Sequence, residues 1–98
     1  MTDLDRKIVE WGRDKGIDNP DKQTVKLMEE VGELAHEICR GNYNSDELKD
    51  AFGDIQVVLI ILGDMLGIDI EKCKEDAYNV IKNRTGKTSD GCFIKENE

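Results

Sequence analysis

The sequence is short of the residues that would support several common functions. Its three cysteines, Cys39, Cys73 and Cys92, are scattered and form no C-x-x-C pair. That excludes a disulfide framework and a zinc site, and points to structural thiols in a reducing compartment. Basic residues are outnumbered, with 14 Lys and Arg against 22 Asp and Glu and a net charge of -8. Such a surface repels a phosphate backbone, so no nucleic-acid partner is expected. The longest apolar run, Val57 to Leu62, is far too short to span a membrane. The opening M-T-D-L-D-R-K is charged and lacks the apolar core of a signal peptide, so a cytoplasmic location is expected. Histidine occurs once, as His36, and no serine, cysteine or histidine nucleophile system is present. Aromatics make up 5% and charged residues 37%. That balance can mean disorder, but the apolar residues recur at ordered spacings, so a folded helical protein is expected.

The 98 residues suffice for one small domain, residues 1–98, with a modest core that oligomerisation would help. Four helices are expected. In the first, residues 3–15, Leu4, Ile8 and Trp11 share one face. Asn19 caps the second with Pro20 at its first position; Leu27, Val31, Leu34 and Ile38 form its stripe, and Gly41-Asn42 stops it. Asn44 or Ser45 caps the third, with Glu47 placed for a capping box after Asn44. Its stripe is Leu48, Phe52, Ile55, Leu59, Leu62 and Leu66. Between Val57 and Leu62 it is apolar on all sides, which places it centrally or at a subunit interface. Asp69 caps the fourth, whose stripe is Ile70, Cys73, Ala77, Val80 and Ile81. Residues 85–98 read as an irregular tail. The fold class is an all-α four-helix bundle that assembles into oligomers.

Five acids stand out: Glu29, Glu30 and Glu33 in E-E-V-G-E, and Asp50 and Asp54 in D-A-F-G-D. At about 100° per residue, Glu30, Glu33 and Glu37 flank the apolar stripe of the second helix, while Glu29 points more outward. One reading is a solvated edge, with Lys26 paired to Glu30 at i, i+4. On the third helix, Asp50 and Asp54 share a side with Val57 and Ile61. Aspartate is a poor mid-helix residue, and carboxylates beside apolar stretches are expensive without a counter-ion. The other reading is therefore a hard cation such as Mg²⁺, with Mn²⁺ an alternative, held by Glu30, Glu33, Asp50 and Asp54. That makes phosphate chemistry the leading functional class. At the end of the fourth helix, Asn79, Lys82, Asn83 and Arg84 either complement a helix C-terminus or clamp a triphosphate. Trp11 is core or a stacking wall for a base. Gly86-Lys87-Thr88 is no P-loop, because Ile81 stands where the motif needs glycine.

The segments I-V-E-W-G-R-D-K-G-I (8–17), Q-T-V-K-L-M-E-E-V-G-E-L (23–34), D-A-F-G-D-I-Q-V-V-L-I-I-L (50–62) and A-Y-N-V-I-K-N-R-T-G-K (77–87) together resemble the MazG-like nucleoside triphosphate pyrophosphohydrolases, of the small single-domain type found in bacteria and phages. The resemblance implies metal ligands at Glu30, Glu33 and Asp54, with Glu29 a further candidate; one ion, or a free carboxylate such as Glu29 or Glu33, would then activate a water. It implies that Lys82 and Arg84, with Asn79 or Asn83, reach the phosphates, and that Trp11, Gln23 and Lys26 lie near the nucleotide. The family's second element is E-x-x-D. Ala51 stands at its Glu position here, and Asp50 is the candidate substitute. The implied activity is Mg²⁺-dependent conversion of a nucleoside triphosphate to monophosphate and pyrophosphate by a homodimer or homotetramer. The alternatives are a non-catalytic helical adaptor that retains the fold and, ranked last, a divalent-ion buffer, which lacks an EF-hand loop.

Overall fold

The computed structural model describes residues 1–96. It contains four helices and a hairpin: α1 (Asp3–Asp14), α2 (Pro20–Cys39), α3 (Asp46–Leu66), α4 (Ile70–Ile81), β1 (Gly86–Ser89) and β2 (Cys92–Lys95). Each start is fixed by a side-chain oxygen on an otherwise unpaired backbone N–H. Thr2 accepts from Asp5 N–H and closes a reciprocal box with the Asp5 carboxylate. Asn19 accepts from Lys22 N–H ahead of Pro20, Ser45 from Leu48 N–H and Asp69 from Lys72 N–H. Because Ser45 rather than Asn44 is the cap, Glu47 falls one position short of the third helical residue and the expected capping box does not form. Gly67, at φ 66°, ends α3.

α3 is central, packing against both α2 and α1. α2 and α3 run antiparallel. Ser45, before α3, bonds Glu37 near the end of α2, and Gln23 near the start of α2 reaches the Val58 carbonyl far along α3. Gly12 lets α1 approach closely: a Cβ there would lie 3.2 Å from the Ile61 side chain. Arg13 adds a two-pronged bond to Asp64, at 3.0 and 2.6 Å.

The buried faces are rotated from those expected. On α3 the buried residues are Leu48, Ala51, Val58, Ile61 and Gly63, while Phe52, Leu59 and Leu66 of the expected stripe are exposed. On α2 the buried residues are Gln23 and Glu30, and Val31 and Ile38 are exposed. On α1 Val9 and Gly12 are buried, whereas Leu4 and Trp11 are exposed, so Trp11 is not a core residue of this chain. The cause is common to all three. A helix apolar on several sides offers more than one packing face, and α1 and α2 can cover only one side of α3.

α4 turns away from α3 by 106° and buries none of its residues, so its stripe is uncovered within the chain. The radius of gyration, 16.3 Å, exceeds the roughly 13 Å of a compact domain of about this length. The expected irregular tail is corrected: residues 86–95 form an antiparallel hairpin with Gly86 opposite Lys95 and Ser89 opposite Cys92. Asp90 and Gly91 both adopt positive φ at its turn, the backbone that closes a two-residue hairpin. The last two positions of that segment, 97–98, lie outside the described residues. Among the described residues, no single helix is long and apolar enough to cross a membrane.

Candidate active site

The seam between α2 and α3 gathers charge. Glu30 is 5% exposed, and lies within the packed face of α2 rather than at its edge. Its Oε1 accepts from Lys26 Nζ at 3.1 Å. Its Oε2 is buried and has no hydrogen-bond partner among the described residues. A buried carboxylate oxygen without a donor costs free energy and is stable only if something supplies charge. The antiparallel register set by Gln23 and Val58 puts Glu30 level with Ala51, whose buried methyl group can donate no bond.

Glu33, one turn on, has its carboxyl pKa raised, first by the charge of Glu30, then by nearness to the Glu30 carboxylate, to which Glu33 can donate only when protonated, by desolvation, and by the charge of Asp54; Lys26 opposes the shift. Glu30 and Glu33 from α2 and Asp54 from α3 therefore lie within one electrostatic neighbourhood, with Lys26 as its cation. Among the described residues no three such side chains are already closed around an ion-sized point. The orphaned Glu30 oxygen, together with the all-oxygen donor set, nevertheless fits a hard divalent cation.

The other sequence-derived candidates divide. Glu29 is exposed and contributes to the field that raises the Lys26 pKa, after the Glu30 bond, the Glu30 charge and opposing desolvation. Asp50 is exposed while its neighbour Ala51 is buried, so Asp50 does not take the seam position that Ala51 occupies. Gln23 is buried, and its amide donates to the Val58 carbonyl at 3.4 Å, tying the two helices. Glu37 is satisfied by Asn42 and Ser45 at the α2–α3 turn. His36 is exposed.

Trp11 is half exposed and borders a shallow hollow of about 290 Å³ with Lys7, Ile8 and Val57. Val57 follows Asp54 by three residues, about 4.5 Å along the helix, and none of the acids lines this hollow. A larger hollow, about 530 Å³, lies at the α3–α4 elbow beside Ile60, Gly63 and Ile70 and includes none of the acid cluster. It is the space left where α4 swings away. Asn79, Lys82, Asn83 and Arg84 sit at the exposed end of α4, where Asn83 donates to the Asn79 carbonyl at 3.5 Å. Among the described residues α4 packs extensively against neither α2 nor α3. Sequence reasoning missed the Arg13–Asp64 pair and the Lys7–Ile8 border. The two partners of the pair are 51 residues apart, and no local pattern announces such a bond.

Solved structures share this architecture. The Bacillus-conserved MazG protein, a nucleotide pyrophosphohydrolase, superposes with a TM-score of 0.72 at 26% identity, covering 85% of this chain and 89% of that one. This chain is similar in fold to the MazG proteins. The MazG-like pyrophosphohydrolase of cyanophage S-2L, solved with dGDP and three catalytic Mn²⁺ ions per active site, superposes with a TM-score of 0.69 at 23% identity, covering 96% of this chain and 94% of that one. That likeness adds evidence on the fold. An uncharacterised 18.2 kDa protein from the rep-hol intergenic region of Haemophilus phage HP1 (strain HP1c1) is 36% identical over 72 residues, or 70% of this chain. The match spans 43% of that phage protein. No protein-family model matches the sequence.

Proposed function

We propose that this protein hydrolyses nucleoside triphosphates to monophosphate and pyrophosphate, using Mg²⁺ or Mn²⁺ held between α2 and α3. The observation that carries the reading is the buried Glu30 Oε2 beside Glu33, without a partner among the described residues. The Bacillus protein's activity and the nucleotide and Mn²⁺ in the cyanophage protein support it. Glu30, Glu33 and Asp54 would hold the cation, with Asp50 an outer carboxylate. When bound, the cation supplies charge neutralisation for the triphosphate and lowers the pKa of a water. Glu29, outside the coordination, or Glu33 through an oxygen not on the cation, accepts the proton of the attacking water. One P–O bond of the α–β anhydride breaks as water's oxygen adds. Lys82 and Arg84, aided by Asn79 and Asn83, take the charge of the departing pyrophosphate. Trp11 forms a face for the base. Lys26 is available to the phosphates, and Gln23 keeps α2 and α3 in register beneath them.

Because α4 packs extensively against neither helix of the acid seam among the described residues, the reading includes a homodimer or homotetramer in which a second copy's α4 completes the site. The exposed Phe52, Leu59, Tyr78, Val80 and Ile81 provide the apolar surface for it. A non-catalytic adaptor is favoured by Ala51 at the family's Glu position and by the absence of a closed carboxylate cage among the described residues. A pyrophosphate-release screen over standard and modified nucleoside triphosphates with Mg²⁺ and Mn²⁺ decides. Turnover of at least one, abolished by Glu33→Ala and by Asp54→Ala, is expected. A folded, metal-loaded sample that turns over none overturns the proposal.

A further inference from the structure

Lys26 and Glu30 form an unequal pair. The carboxylate side chain is 6% exposed and fixed in the seam, whereas the ammonium side chain is 54% exposed at 3.1 Å from it. The long, solvent-facing lysine can leave; the glutamate cannot. Among the described residues Glu30 has one oxygen on Lys26 and no donor on the other, so Lys26 is the cation paired with it. A divalent ion bound to Glu30 at about 2.0–2.6 Å and an ammonium on the same carboxylate would face each other at short range inside a poorly hydrated seam, where like charges repel strongly.

We propose that Lys26 is a resident counter-ion: it occupies Glu30 in the metal-free protein and must swing off that carboxylate before a divalent cation binds. This rests on the metal-binding reading of Glu30 given above. Lys26 is thus a positioning residue with two states. In one it keeps the buried Glu30 charge neutralised, so that the seam folds without metal. In the other its ammonium, released at the rim of the seam, is free for a new anion. The competition weakens metal binding to the empty protein, so the cation does not load tightly before an anion arrives to receive Lys26.

The test measures Mn²⁺ alone, without nucleotide, by titration calorimetry, and thermal unfolding in chelator and in saturating Mn²⁺. Lys26→Met should tighten Mn²⁺ binding by about fivefold or more, the low end of ordinary coupling between sites, and should lower the melting temperature in chelator but not in Mn²⁺. Lys26→Arg should restore wild-type behaviour. Lys22→Met, an equal charge change one turn away on the exposed side of α2, controls for the general field and should shift affinity less than the Lys26 variant does. In a Glu30→Gln background, Lys26→Met should no longer tighten binding. Equal shifts from Lys26→Met and Lys22→Met, or weaker Mn²⁺ binding in Lys26→Met, overturn the counter-ion role while leaving the metal site standing. No Mn²⁺ binding by the folded wild type overturns both.

Discussion

Replacing Glu30 by Met separates folding from function at one buried position. The wild-type side chain carries a buried oxygen with no donor among the described residues, and such an atom costs about 1–3 kcal/mol. Methionine is similar in length and apolar, so it removes that cost with little change in volume. The lost bond to Lys26 offsets only part of the gain, because the lysine is mostly exposed and its pairing is screened by solvent. In chelator, Glu30→Met should therefore melt higher than the wild type, by about 4–8 °C for each kcal/mol gained. Divalent cation should reverse the order. At one hundred times its dissociation constant a ligand adds about 2.7 kcal/mol to the form that binds it, and the variant forgoes this. The assay is circular dichroism melting at matched protein concentration, with chelator and with Mn²⁺. The reasoning is refuted if the variant melts below wild type in chelator and keeps the full Mn²⁺-induced rise.

Three further outcomes are expected. Ile61→Ala empties the contact between α3 and Gly12 of α1 and should cost about 2–5 kcal/mol in denaturant unfolding. The Glu33 pKa is raised, so in the metal-free protein its contribution is present below the ordinary glutamate pKa and lost as pH rises through the raised value; melting against pH should show that fall, and Glu33→Gln should flatten it. Asp64 is the opposite case. The hydrogen bond from Arg13 lowers its pKa, against desolvation and with the Arg13 charge, so its contribution is present above the ordinary aspartate pKa and lost as pH falls through the lowered one. Arg13→Ala should remove that acid-side dependence.

The helix boundaries were legible because caps are local: Asn19 before Pro20, Ser45, and Asp69 are chemical signals within one turn of the ends they fix. Thr2 escaped notice because its box partner is Asp5 instead of Glu or Gln. The buried faces were less legible. Phe52, Leu59 and Leu66 have the spacing of a core stripe, yet the chain packs Ala51, Val58 and Ile61. Periodicity reports which faces are apolar, and tertiary neighbours choose among them. The hairpin's strands are four residues each and exposed throughout, so no alternation of buried and solvent-facing residues marks them; the Asp90-Gly91 pair at its turn was the local signal that could have found it. Of the acids, Glu30 is buried and feels Glu33 in the same seam, and Asp54 adds to the field on Glu33, but among the described residues no three of them close around one point. Asp50 is exposed and lies about 100° round the helix from the buried Ala51.

The measurement closest to the central claim is anomalous diffraction from crystals grown with Mn²⁺ and a non-hydrolysable nucleoside triphosphate. The account predicts a manganese peak between Glu30 and Glu33 of α2 and Asp54 of α3, with Lys26 withdrawn from Glu30. Manganese bound only elsewhere, with the Lys26–Glu30 pair intact and Glu30 Oε2 still without a partner, would contradict it.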